Sequence, residues 1–302
     1  MDLCNVNVVK RIMSKYGTGT KKAFGQNFLI NPQVPADIAY ESYSYHKSKN
    51  SDDVSGALEI GPGIGSLTSE LCQAYDRVVA VEIDSTLIPI LGETLGEYDN
   101  ITVINKDFLK LDLNSFLDEH FGDKPVSVCA NLPYYITTPI IMKLLEESRG
   151  NDGNSRITSI TVMVQAEVAT RLCAKAGESE YGAITAVLGY YGETRRLFTV
   201  GASSFLPPPK VNSAVVRIDL YREPKYTPKD KKLFFGLIRA AFEMRRKTLT
   251  NAISAKYPID KATLSNVLTS LGFSPSVRGE RLSTADFAAL ADALYPLLNP
   301  EM

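Results

Sequence analysis

A strand–turn–helix unit recurs through the first two thirds of this chain, and that recurrence limits its fold more than any other feature. Ala57-Leu58-Glu59-Ile60 is an apolar run that stops at Gly61-Pro62-Gly63-Ile64-Gly65, and a helical pattern runs from Leu67 to Ala74. Arg77 to Val81 reads as a second strand ending at Glu82, Ile101 to Ile104 as a third ending near Asp107, and Val126 to Ala130 as a fourth ending at Asn131. Ile160 to Val164 is a fifth. Helical stretches follow at Thr86 to Leu95 (weakened by Pro89 and Gly92), Thr138 to Glu147 and Gln165 to Lys175. Strand ends spaced by roughly 20–25 residues are the length of a strand–helix repeat, so the expected fold class is α/β, a doubly wound, mostly parallel sheet. Ile184 to Tyr191 and Ser213 to Leu220 are expected to add antiparallel edge strands. Pro207-Pro208-Pro209 between them cannot sit in a central strand. After Tyr221 the pattern is helical: Lys231 to Arg245, Thr248 to Ala255, Lys261 to Leu271 and Thr284 to Leu298. The reading is two domains, 1–222 with the sheet and 223–302 smaller and all-helical.

Composition removes several classes of function. With 302 residues, 44% of them hydrophobic, the chain can bury a sizeable core. No apolar run approaches the roughly 20 residues that cross a bilayer, and the first residues do not read as a secretory signal. Four scattered cysteines without a Cys-x-x-Cys pair, and two histidines, argue against a metal site or a disulfide framework; a reducing, cytoplasmic setting is expected. The net charge of −1 gives no hint of a polyanionic partner, but its distribution does. Leu3 to Ala36 holds Lys10, Arg11, Lys15, Lys21 and Lys22 and no acid, and bases outnumber acids from Tyr221 to Lys247. Such local surfaces can hold a phosphate backbone; they can equally be solvated helix faces.

Four strand ends carry chemistry. The Gly61 turn lets a ligand approach the backbone and the amides of a helix N-terminus. Glycines in that spacing serve dinucleotide and S-adenosylmethionine (SAM) folds alike, but Pro62 and Glu59 are unlike the dinucleotide fingerprint. Glu82 stands where ribose hydroxyls need a bidentate acceptor, and Asp107 where an adenine amine needs one, although Asp107 could equally be a helix-start carboxylate. Asn131-Leu132-Pro133-Tyr134 sets an amide, a restrained backbone and an aromatic face around one pocket. That set suits a planar base with an exocyclic amine; a Pro turn with Tyr134 packed in the core is the plainer account.

With that tetrapeptide added, the chain resembles SAM-dependent methyltransferases, and four further stretches narrow the likeness. They are Phe24-Gly25-Gln26-Asn27-Phe28-Leu29, Pro207 to Val216, Phe242 with Arg245-Arg246-Lys247, and Arg278-x-Glu280-x-Leu282. Over about residues 20 to 290 it is similar to the ribosomal RNA small-subunit adenine dimethyltransferase family (KsgA type). The resemblance implies a Rossmann-like methyltransferase sheet and SAM as the methyl donor, with no metal. Asn27 and Leu29 would help close the SAM site, Gly61 would lie against the cofactor, Glu82 would hold its ribose and Asp107 its adenine. Asn131 would lie between cofactor and target amine, with Leu132 and Pro133 shaping the pocket. Tyr134 would stack on the base and Phe205 would form the second wall, although Phe205 also reads as a packed aromatic before a turn. Lys210, Arg245, Arg246 and Lys247 would meet RNA. The implied substrate is a pair of adjacent adenosines near the 3′ end of 16S rRNA in the assembling small subunit, and a monomer is expected.

Other classes differ from this by particular residues. The related large-subunit adenine methyltransferases of the macrolide-resistance type share the cofactor core, but the Pro207 to Val211 run and the basic helical tail argue against them. A non-catalytic RNA-binding relative would be marked by a broken glycine turn or a broken Asn-Leu-Pro-Tyr, and both are intact. A small-molecule methyltransferase would not need the basic tail. Tyr135 departs from the family pattern, standing where Asn is common in bacterial members.

Overall fold

The computed structural model describes residues 1–17, 27–50, 54–133, 135–150 and 153–299. The chain runs α1 (Val6–Lys15), β1 (Phe28–Leu29), α2 (Gln33–Lys49), β2 (Gly56–Ile60), α3 (Ser66–Ala74), β3 (Arg77–Glu82), α4 (Ile88–Thr94), β4 (Ile101–Asn105), α5 (Leu113–Phe121) and β5 (Val126–Asn131). It continues through α6 (Thr137–Glu147), β6 (Ile157–Gln165), α7 (Ala166–Cys173), α8 (Ala183–Tyr191), β7 (Gly192–Val200), β8 (Phe205–Leu206) and β9 (Ser213–Leu220). Four helices follow: α9 (Lys231–Glu243), α10 (Leu249–Ser254), α11 (Lys261–Ser270) and α12 (Thr284–Leu298). Two compact units result, one of residues 1–169 with 194–223 and one of 170–193 with 224–302.

The first unit is built on a seven-stranded sheet of order β4-β3-β2-β5-β6-β9-β7. Strands β4, β3, β2, β5 and β6 are parallel, and β9 runs antiparallel to β6. All five residues of β2 and the first five of β5 are buried, as in a sheet covered on both faces. The chain winds outward from β2 through β3 to β4 and then crosses to β5 and β6. The order therefore reverses between β2 and β5, and ligands in such sheets bind outside the carboxyl ends of the strands at that reversal. β1 pairs antiparallel with β8, Leu29 opposite Phe205.

Two helices that the sequence does not announce hold this unit together. α2 lays Val34, Ile38 and Ala39 into a core with Leu71, Tyr75, Cys129 and Met163. Its polar residues are used inside: Ser42 Oγ lies 2.8 Å from the Tyr75 hydroxyl, and His46 Nδ1 lies 3.0 Å from Ser127 Oγ. α1 is capped by the Asn5 side chain and puts Val9 and Ile12 into a second cluster with Phe28, Ile64, Leu87 and Ile90. Lys15 Nζ and the Tyr16 hydroxyl both donate to Glu93 Oε2, at 2.7 and 2.5 Å.

The second unit corrects one expectation. Ile184 to Tyr191, read from the sequence as an edge strand, lies in helix α8; the edge is β7, whose Glu193, Arg195 and Arg196 hide its alternation, and β9, expected at an edge too, lies between β6 and β7. β-branched and aromatic content favours a strand only where a pleated surface is there to receive it. Here Tyr190 packs its ring 5.4 Å from that of Phe234 and 5.2 Å from that of Phe235, both on α9. Gly189 brings α8 close to α12, since a Cβ there would sit 2.3 Å from Thr284 Oγ1. Residues 170–193 thus group with the C-terminal helices, which a single cut after residue 222 does not capture. Each helix of the tail starts on a side-chain cap: Asp230, Thr248, Asp260 and Ser283, the last in a capping box with Asp286.

Candidate active site

The cavity of the first unit opens at the carboxyl ends of β2, β3, β4 and β5. Its wall includes Asn27, Leu29, Gly61, Glu82, Asp107, Asn131, Leu132 and Pro133. All the cofactor-side residues named from the sequence therefore meet in one place, with three of the acceptor-side ones. Tyr134, Phe24, Gly25, Gln26, Lys21 and Lys22 lie outside the described residues.

The glycine turn is shaped by backbone that side chains resist. Gly61, Gly63 and Gly65 have φ of 72°, 62° and 95°, a left-handed conformation that costs other residues strain. A Cβ on Gly61 would meet no protein atom within 4 Å, so the space in front of it belongs to the cavity. A Cβ on Gly65 would lie 3.0 Å from Leu95 Cδ2, where α3 leaves the turn. The turn is tied to β3: Gly61 N–H donates to the Val81 carbonyl at 2.9 Å, and Gly63 N–H to Glu82 Oε2 at 3.3 Å.

Glu82 is 5% exposed. Its Oε1 accepts from Asp84 N–H at 2.8 Å. Burial raises its carboxyl above the ordinary value, and the N–H groups of Asp84 and Gly63 pull it back. Each oxygen keeps a lone pair beyond its backbone contact, which suits two vicinal hydroxyls. Asp107 caps a short turn, its Oδ1 accepting from Leu109 N–H at 3.1 Å, and Lys110 Nζ lies 3.6 Å from Oδ2. It is thus a turn-starting carboxylate and a cavity-wall acceptor at once.

Asn131 ends β5 opposite Met163. Its Nδ2 donates to the Asn27 carbonyl at 3.4 Å, so the acceptor Oδ1 is the end left for an amine. The Pro133 carbonyl is taken by Ile136 N–H at 3.1 Å and the Thr137 hydroxyl at 3.2 Å. The neighbouring main-chain carbonyl on the cavity wall is that of Leu132.

Glu59 stands out only in the structure, since nothing in its local sequence marks it as an unusual ionisable group. It lines the cavity, is 1% exposed, and its Oε2 has no hydrogen-bond partner among the described residues. Burial pushes its carboxyl up to about 8; the Thr68 hydroxyl nearby counteracts this and the Glu82 charge adds to it. Phe28, Ile83, Lys106 and Tyr135 also line the wall. Each adjoins a motif residue in the chain, which was the available signal.

Phe205 is set apart from the other acceptor-side residues. It is 2% exposed, faces Leu29 across the β1–β8 pair and packs with Val34, Ile38 and Val215. Its ring belongs to the core and is not among the side chains that line the cavity. Of the expected RNA contacts, Lys210 is exposed in the first unit, while Arg245, Arg246 and Lys247 are exposed in the second. Arg245 is committed within its own unit, with Nε 3.3 Å from Glu280 Oε2 and a guanidinium donation to the Ser179 carbonyl. Among the described residues no helix is long and apolar enough to cross a membrane.

The donor set fits SAM. Open space faces Gly61, a buried carboxylate stands at the end of β3, a second acceptor stands after β4, and apolar Leu29, Phe28 and Ile83 complete the wall. Solved structures share the architecture. A dimethyladenosine transferase from Plasmodium falciparum is 26% identical with a TM-score of 0.69, covering 88% of this chain and 97% of that one. The 23S rRNA methyltransferase ErmE, at 24% identity, has a TM-score of 0.67 and covers 89% of this chain and 100% of its own. Among curated proteins, the ribosomal RNA small subunit methyltransferase A of Bacillus cytotoxicus is 44% identical over 299 residues, covering 98% of each chain. Its counterpart in Bacillus mycoides is 45% identical over 297 residues, 97% of each. The model of the ribosomal RNA adenine dimethylases matches residues 17–293, and the chain belongs to that family.

Proposed function

We propose that this protein is a SAM-dependent methyltransferase that dimethylates the exocyclic amines of two adjacent adenosines near the 3′ end of 16S rRNA, in the assembling small ribosomal subunit. The observation that carries this reading is the meeting of Asn131-Leu132-Pro133 with Gly61, Glu82 and Asp107 on one cavity wall. The curated relatives are named for the small subunit, and this chain would take the same substrate. It would act as a monomer in the cytoplasm on a pre-ribosomal particle. Residues 223–302, with Arg246 and Lys247, would face RNA phosphates, as would Lys210.

In this reading Glu82 accepts from the ribose diol, Asp107 accepts from the cofactor adenine amine, and the Gly61 turn lies against the methionine end, with Asn27 and Leu29 closing over it. Bound there, SAM supplies an electrophilic methyl group. The protein's task is to orient a weak nucleophile, since the adenine amine's lone pair is delocalised into the ring. Asn131 Oδ1 and the Leu132 carbonyl accept the two amine hydrogens, which favours a pyramidal nitrogen aimed at the methyl carbon. Asn27 holds the Asn131 amide through its NH2 end, fixing which end faces the amine. No strong base is asked for, because the proton can leave after transfer. The target base enters unstacked, and Tyr134 stacks on it.

The test is transfer from labelled SAM to small subunits that lack these methylations, with digestion to nucleosides and mass analysis. Dimethyladenosine at the adjacent pair is expected. Asn131→Ala should keep SAM affinity and lose transfer by roughly 100-fold or more, on the order of what a misplaced reacting group costs. Label on large-subunit RNA, or bound SAM with no label on any RNA, would overturn the assignment.

A further inference from the structure

Two large apolar side chains stand exposed on the cavity wall, Ile83 at 49% and Tyr135 at 64%. Their positions differ. Ile83 follows β3, beside Glu82 and toward β4 and Asp107. Tyr135 follows β5, on the far side of β2, between the Asn131 strand end and helix α6. The strand order thus gives Ile83 to the ribose and adenine half of the cavity and Tyr135 to the half where the acceptor amine is held. The other aromatic rings on the wall, Phe28 and Phe108, are buried, and Phe205 is in the core. Tyr135 is therefore the exposed ring at the acceptor end among the described residues.

A single exposed aromatic is ordinary on a protein surface. This one is not on an ordinary surface: it sits in the turn that presents Asn131 and Leu132, with its ring outside both core clusters that flank the cavity. We propose that Tyr135 is an RNA-contacting residue whose ring stacks on a nucleobase of the acceptor strand at the cavity mouth. The proposal rests on the methyltransferase reading above. It adds a determinant of acceptor binding to a wall whose other named residues serve the cofactor or the amine. Stacking on a nucleobase is sequence-tolerant and needs only an aromatic face, so Tyr135→Phe and Tyr135→Trp preserve it. Tyr135→Leu keeps apolar bulk without the face, and Tyr135→Ala removes both.

The experiment is steady-state methyl transfer to unmethylated small subunits for the four variants, with SAM affinity of each by calorimetry. Tyr135→Ala and Tyr135→Leu should lower kcat/KM for subunits by roughly 5- to 150-fold, the range that removing a stack of about 1–3 kcal/mol gives at about 1.4 kcal/mol per tenfold. Phe and Trp should stay within about twofold of wild type, and SAM affinity should be unchanged in all four. Wild-type turnover by Tyr135→Ala overturns the proposal. So does a loss matched by an equal loss of SAM affinity, or a Leu variant as active as Phe. A wild-type protein that transfers no methyl to small subunits would instead sink the functional assignment itself.

Discussion

Glu59 ties the stability of the first unit to pH, with a sign set by its burial. Its carboxyl is held protonated up to about 8 in the folded protein, against an ordinary 4.5. Below 4.5 both the folded and unfolded chains carry the proton, and the group is neutral toward folding. Between 4.5 and 8 the unfolded chain ionises while the folded one keeps its proton, so stability falls as pH rises. At about 1.4 kcal/mol per pH unit the loss is complete near pH 8 and amounts to about 5 kcal/mol. Glu59→Gln removes the titration and keeps the shape. Urea unfolding of wild type and variant at several pH values from about 5 to about 8 isolates the effect in their difference, because every other group titrates in both. The variant should gain on the wild type at each step upward, with most of the gain present at the top of that range. Parallel stability curves would disprove the coupling: Glu59 would then ionise in the folded state near its ordinary value, with water or a neighbour beside Oε2.

Other perturbations address the remaining assignments. Phe205→Ala should cost about 3–5 kcal/mol in urea unfolding, the usual penalty for an emptied aromatic core site; a loss of turnover with stability intact would return Phe205 to the acceptor wall. Glu82→Ala should weaken SAM binding by roughly 10- to 150-fold in calorimetry, the worth of about 1.5–3 kcal/mol of hydrogen bonding to a charged group, with the fold retained; unchanged affinity would remove Glu82 from the cofactor site. Reversing charge at Arg246 and Lys247 should weaken binding to small subunits and flatten its salt dependence by about one unit of slope for each phosphate no longer neutralised. If affinity and slope both stay as in wild type, the RNA surface lies elsewhere.

The parallel core was legible because its strands are buried on both faces, so Ala57 to Ile60, Arg77 to Val81 and Val126 to Ala130 read as plain apolar runs ending in chemically distinct residues. The tail helices were legible for a different reason, their apolar spacing behind Asp, Thr and Ser caps. α2 was not, because its buried face carries Ser42 and His46, which look like surface residues until Tyr75 and Ser127 are placed opposite them. α8 was misread because its β-branched and aromatic residues signal burial, and in this chain burial came from α9 and α12 rather than from a sheet. Phe205 shows the same limit within the site. Its motif suggested a role, but its burial depends on a two-residue pairing with Leu29 that no local pattern announces.

The N-terminal segment couples remote packing to the cavity. Phe28 and Leu29 are adjacent in the two-residue strand β1, and both line the cavity, yet they enter different cores. Phe28 joins α1 and Ile64 of the glycine turn, while Leu29 joins α2 and Phe205. The preceding residue, Asn27, offers its carbonyl to Asn131. A strand of two residues has too few ladder hydrogen bonds to fix itself, so its position is set by those two cores and by its pairing with β8. The orientation of the Asn131 amide therefore depends on packing as distant as Val9 and Ile12 on one side and Ile38 on the other. That dependence gives α1 a reason to be clamped to Glu93 by Lys15 and Tyr16: the helix packs on Phe28, next to the Asn27 carbonyl that accepts from the Asn131 amide.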